Sequence, residues 1–188
     1  TLGMKEKSLR IVTDEKNGPD KIRISPFRNK RFNSYKSLVL RTSGSDQRNT
    51  RLKDITNCSL AKDLGLDYQD FRQAVLYVNG EYWGIYNIRE KINLEYLKYN
   101  HGAVKNEDST SLLELNGLQN REYRSMVEYL CRDFPESTVF DSVNTVIDLE
   151  NYINYIILQI HIQNIDSRGN VRFWKSKSLD NRWRWIFY

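Results

Sequence analysis

The sequence predicts an α+β chain of two parts. The first, over residues 1–92, is rich in strands, and the second, over 93–188, is mostly helical and closes on a hairpin. Three observations carry this. Compact apolar runs punctuated by turns dominate the first part, above all Ala74–Val78 and Glu81–Arg89 flanking Asn79-Gly80. The second part holds stretches with apolar residues at helical spacing. Its last residues, Val171–Lys175 and Arg182–Tyr188, are aromatic-rich runs joined by a polar turn. A length of 188 residues suits one domain or two small lobes around a cleft, and 39% hydrophobic with 12% aromatic residues argues against disorder.

Taken in order, residues 1–34 are polar, with short strand candidates at Leu9–Val12 and Lys21–Ile24. Ser37–Arg41 is a compact strand around Leu38, Val39 and Leu40, and Thr42–Asp46 is a turn. Arg51–Leu64 reads as a helix that buries Leu52, Ile55, Leu60 and Leu64, with Gly65 as its left-handed cap. Asn79-Gly80 accepts positive φ at both central positions of a type I′ turn, which makes the following segment the second strand of a hairpin. Leu94, Tyr96 and Leu97 open a short helix, Asn100–Asp108 is a loop, and Ser111–Leu115 is a short strand. Arg121–Asp133 is an amphipathic helix ended by Phe134-Pro135. Asp148 caps a helix over Leu149–Gln163 that is apolar on most sides and is expected to be central and buried.

Charge is unevenly spread. Residues 21–53 carry ten Lys/Arg against Asp46 alone, inside a chain of formal net charge +5. A phosphate-rich partner fits such a segment, be it a nucleotide, a nucleic acid or another polyanion, and a solvated basic face is the simpler account from charge alone. No zinc finger, RNP motif or GXXG loop supports nucleic acid. Tyr155–Ile162, the longest apolar stretch, is interrupted by Gln159 and His161 and is too short to span a bilayer. Cys58 and Cys131 fall on apolar helix faces, where two buried free thiols are expected. His101 and His161 stand in no metal-ligand spacing.

The segment from Lys36 onward then resembles a known family. A helix ending in LGLDY, a hairpin reading NGEYWGIYNIREKI, and a long helix leading to Asn164-Ile165-Asp166 and an aromatic hairpin are the pattern of the CotH kinases, the spore-coat-protein-H-like atypical protein kinases. The likeness is stronger to variants from large surface or secreted bacterial proteins than to spore-forming ones. It implies a kinase-like two-lobe fold and ATP-dependent phosphorylation of protein, with Mg²⁺ or another divalent metal. Such transfer needs a cation on the phosphates, metal to neutralise charge, and a carboxylate that orients the attacking hydroxyl.

The resemblance distributes these roles over named residues. Lys36 and Arg41 are the candidate phosphate cations, with Asp54 or Asp63 as an acidic partner from the helix. Tyr86 and Glu90, with Gly84, are the candidate nucleotide-binding positions on the second hairpin strand. Asp166 is the candidate catalytic carboxylate, and Asn170 is the nearest amide for metal. Two departures matter. Val171 stands where the pattern has a metal-ligating Asn five residues after the Asp, and the acidic motif expected after Tyr188 is not in this sequence. The expectation is therefore a truncated kinase domain that is inactive as it stands. The alternatives are a non-catalytic scaffold module of a surface or secreted protein and a polyanion-binding domain.

Overall fold

The computed structural model describes residues 6–28, 30, 32–102, 104, 109–114, 120–165 and 170–188. Along the chain these form β1 (Leu9–Val12), β2 (Ile22–Arg23), β3 (Ser34–Tyr35), β4 (Ser37–Arg41), α1 (Lys53–Asp63), β5 (Asp67–Tyr68), β6 (Phe71–Val78) and β7 (Glu81–Glu90). There follow α2 (Leu94–Asn100), β8 (Thr110–Glu114), α3 (Arg121–Leu130), α4 (Val139–Asn144), α5 (Leu149–His161), β9 (Arg172–Ser176) and β10 (Arg184–Phe187). Helices and mainly antiparallel sheets are thus mixed in an α+β fold. Packing divides the chain into two compact units, residues 1–58 with 69–92, and residues 59–68 with 93–188.

Unit 1 is built on an antiparallel sheet of order β1-β4-β7-β6. Its hairpin is local: Asn79 and Gly80 both take positive φ, 51° and 83°, as the turn chemistry requires. A register shift between Leu76 and Tyr77 admits one extra residue on β7. β4 then pairs with β7, Leu40 opposite Ile88 and Leu38 opposite Glu90. The apolar centre of the unit is Phe27, Tyr35 and Leu38, against which Ile22, Phe32 and Ile88 pack. Before α1, buried Asp46 accepts from the Thr50 hydroxyl at 2.7 Å and from Lys53 N–H at 3.1 Å, satisfying a donor at the helix start.

Unit 2 carries a sheet of order β5-β10-β9-β8, larger than the terminal hairpin read from the sequence. β10 runs antiparallel to β9 and parallel to the short β5. Its core is aromatic: Trp174 and Trp183 are fully buried, Phe173 lies 5.4 Å from Trp183 and 4.8 Å from Tyr123, and Tyr152 of α5 lies 4.6 Å from Trp185. Asp148 caps α5 by accepting from Asn151 N–H, as expected.

Three expectations are corrected. Leu52 precedes α1 and is exposed; Cys58 and Ala61 are the fully buried residues of the helix instead. α5 is not buried all round: Tyr155, Leu158 and Gln159 are covered, whereas Ile153, Ile156, Ile157 and Ile160 are exposed on the other side. Apolar residues around a whole helix do not say which side finds a neighbour, and here β10 covers one side only. Cys131 is exposed because α3 ends at Leu130 and leaves it at the C-cap.

Candidate functional site

β7 positions the charged groups of unit 1. Consecutive strand residues point to opposite faces, so the neighbours Arg89 and Glu90 leave the strand on different sides, and each needs a partner. Both are buried, Arg89 completely.

On one face Glu90 accepts from two directions. Lys30 Nζ is 3.4 Å from its Oε2, with both side chains largely withdrawn from water, and Asp70 N–H donates to the same oxygen at 3.3 Å. The Glu90 carbonyl is taken by the Gln69 amide at 2.7 Å. Burial pushes the Glu90 carboxyl above the ordinary glutamate range, with Lys30 pulling in the opposite direction. A second carboxylate, Asp70, is also buried: its Oδ1 accepts from Phe71 N–H, and its Oδ2 is enclosed without a hydrogen-bond partner among the described residues.

On the other face Arg89 donates to Asp54 Oδ2 at 2.5 Å and to the Cys58 sulfur at 3.1 Å, both on α1. Arg41 Nε lies 3.3 Å from that same Asp54 oxygen. One carboxylate is therefore shared by two guanidinium groups, and the trio keeps a net positive charge. The Cys58 thiol is held protonated, its pKa raised chiefly by burial.

The sequence-predicted residues fall as follows. Arg41 is tied to Asp54, one of the two acidic partners, with Asp63, expected from the helix. Lys36 is exposed in the bend between β3 and β4, and its carbonyl accepts from Thr13. Tyr86 is buried in β7, its hydroxyl pKa raised by burial and by the nearby Glu6 carboxylate. Gly84 holds φ 130°, and a Cβ there would come within 3.0 Å of the Glu6 carboxyl. Glu90 is an ion-pair partner of Lys30 rather than an open acceptor. Asp166 lies outside the described residues, and Asn170 is exposed two residues before β9. Sequence reading counted Lys30 among ten basic residues and took Arg89 only as the end of a hairpin strand, giving neither a role in the site. The available signal was the adjacent Arg-Glu pair at the end of the aromatic- and isoleucine-rich β7, since such a pair, once buried, demands a counter-charge on each face.

In unit 2, His101 Nε2 and the Trp174 indole N–H contact opposite oxygens of Asp67 at 2.7 and 2.8 Å. Elsewhere α4 and α5 frame a depression of about 470 Å³, with Phe140, Asp141, Glu150 and Ile153 in its lining. Asp148 at its side is paired with Arg184 at 2.9 Å and Arg182 at 3.6 Å. None of the described sequence-predicted site residues lines it. Among the described residues no group of three or more His, Cys, Asp or Glu is placed to hold a metal ion, so no metal-dependent step is built on them. Among the described residues, no helix is long and apolar enough to cross a membrane.

The chain thus combines an α+β fold with a strand-rich unit whose central strand carries two buried, paired charges. The family described as CotH kinase protein matches residues 2–188, and the chain belongs to that family. Its function is kinase-like in general, and the family implies use of ATP and metal. No curated protein matches the chain.

Proposed function

We propose that this CotH domain transfers the γ-phosphoryl group of ATP to a hydroxyl of a protein acceptor. The observation that carries the reading beyond family membership is the buried Lys30–Glu90 pair. A lysine fixed by a buried glutamate is a pre-positioned cation, and phosphoryl transfer depends on positioning and charge stabilisation more than on covalent chemistry. In this reading Lys30, rather than the solvated Lys36, meets the phosphates. Glu90 positions it, Arg41 adds positive charge from β4, and the strand at Gly84 and Tyr86 faces the base. Asp166 orients the acceptor hydroxyl and receives its proton. A bound divalent metal would supply charge neutralisation, with Asn170, the amide beside Val171, as the candidate ligand.

Mg-ATP should raise the melting temperature of the chain, because a ligand that binds the native state alone stabilises it. Lys30→Ala should abolish most of that shift and Lys36→Ala little of it. Asp166→Asn should lower transfer of radiolabelled phosphate by about 10²–10⁴-fold while leaving nucleotide affinity nearly intact. Equal loss from both lysine variants would remove Lys30 from its role. A second reading, a scaffold without catalysis, is favoured by Val171 in place of the expected metal-ligating Asn. Absence of any nucleotide-dependent shift with Mg²⁺ or Mn²⁺ would select it. Binding to polyphosphate or heparin that collapses with salt would instead select polyanion binding.

A further inference from the structure

The outer edge of the unit 1 sheet is β6, eight residues long, hydrogen-bonded on one side to β7 and at the end of the strand order. Edge strands are usually kept short, bent, proline-bearing or charged, because their open N–H and C=O groups template further pairing. Apart from Arg72 and the extra β7 residue beside Leu76 and Tyr77, β6 has none of these devices; its sequence is FRQAVLYV. The face around it is apolar and open. Val75, Tyr77, Tyr82, Trp83 and Ile85 are each between 41% and 62% exposed, and the Tyr77 and Tyr82 rings pack edge to face at 5.8 Å. An unprotected edge beside an exposed aromatic patch marks an interaction surface.

We infer that β6 pairs antiparallel with β6 of a second copy, joining two unit 1 sheets into one continuous sheet about a two-fold axis. Charge complementarity selects this occupant and its register. Arg72 and Val78 share a face of β6, because residues six apart in a strand point the same way. Glu81 sits opposite Val78 on β7, so it shares that face. Neither Arg72 nor Glu81 has an ion-pair partner among the described residues, and both are exposed. Centring the two-fold on Val75 sets Arg72 opposite Val78 of the second copy. Glu81 of that copy is then one strand further on, about 10 Å away between backbones, a gap that the two side chains span. The axis repeats the pair, giving two Arg72–Glu81 contacts. On the opposite face the same register sets Val75 against Val75 and Tyr77 against Gln73. An isologous contact of this kind closes at two copies and leaves no further edge on that side.

Sedimentation equilibrium on the 188-residue chain tests it. The wild type should show a monomer–dimer equilibrium in the micromolar range. Arg72→Glu should shift it to monomer, and Arg72→Glu with Glu81→Arg should restore the dimer, with circular dichroism unchanged throughout. In a Cys131→Ser background, Val75→Cys should oxidise to a covalent dimer, whereas Arg72→Cys should not. A wild type that stays monomeric from micromolar to millimolar concentration overturns the inference. So does a dimer indifferent to Arg72→Glu, or a double variant that stays monomeric.

Discussion

In unit 1 the middle of the sheet is fastened by charge. Arg89 is wholly buried against Asp54, and Glu90 is buried against Lys30 on the reverse face of the same strand. In unit 2 the corresponding place is filled by rings. Trp174, Trp183, Phe173 and Trp185 stack through the sheet, and its ion pairs, such as Arg184–Asp180 and Lys175–Glu122, are partly open to water. The difference is one of tolerance. Aromatic burial adds stability in proportion to area removed from water. A buried ion pair gains little over an apolar pair but is costly to break, because the surviving charge is stranded. Unit 2 should therefore suffer from lost volume and unit 1 from lost partners.

The largest effect is expected at Trp174. Trp174→Ala should destabilise the chain by the upper part of about 3–5 kcal/mol in urea unfolding, since it opens a cavity and also removes the donor to Asp67. A loss below about 1 kcal/mol would mean that the rings are not the mainstay of unit 2. Next comes Arg89. Arg89→Met should cost about 3 kcal/mol, because Asp54 then keeps only the part-exposed Arg41 as counter-charge, and adding Asp54→Leu should recover part of it. If the double variant is no better than the single, packing rather than charge explains unit 1.

The smallest effect is on pH dependence, and it has opposite signs in the two units. Glu90 has a folded-state pKa above its unfolded one, chiefly through burial. Its contribution to stability is greatest below the ordinary glutamate range and declines as pH rises through the folded value. Glu122 and Asp180 are lowered, by the Ser111 hydroxyl and by Arg184 respectively. Their contributions are present above the ordinary carboxylate range and are lost as pH falls through the folded values. Glu90→Gln should therefore flatten the loss of stability on the alkaline side, whereas Asp180→Asn should flatten it on the acid side. Unfolding free energies measured from about pH 3 to 8 separate the two. Identical slopes in both variants would erase the electrostatic contrast between the units.

Local structure was legible in the sequence where local chemistry decides it. Asn79-Gly80 set the hairpin turn, Asp148 the start of α5, and the aromatic run the β9–β10 pair. What the sequence did not show depends on partners distant along the chain. β5 is two residues long and is a strand only because β10 lies beside it. The isoleucines of α5 have the same hydrophobicity whether or not a neighbour covers them. At the candidate site, sequence left Asp54 and Asp63 both open as the acidic partner, and only the contact with Arg41 selects Asp54, just as Lys30 was one of ten basic residues until its contact with Glu90 set it apart.

The pairing of β5 with β10 also bears on the order in which the chain can fold as it is made. Asp67 lies opposite Ile186, so this contact joins residues far apart in the sequence, while β6 and β7 meet across a two-residue turn. On a ribosome, unit 1 has all its strands once residue 90 has emerged, and its hairpin needs no long loop to close. Unit 2 must hold α2, α3, α4 and α5 without a finished sheet until Arg172–Phe187 arrive. A pause in translation before residue 172 would thus expose nascent unit 2 to chaperones or aggregation while leaving unit 1 able to form its sheet.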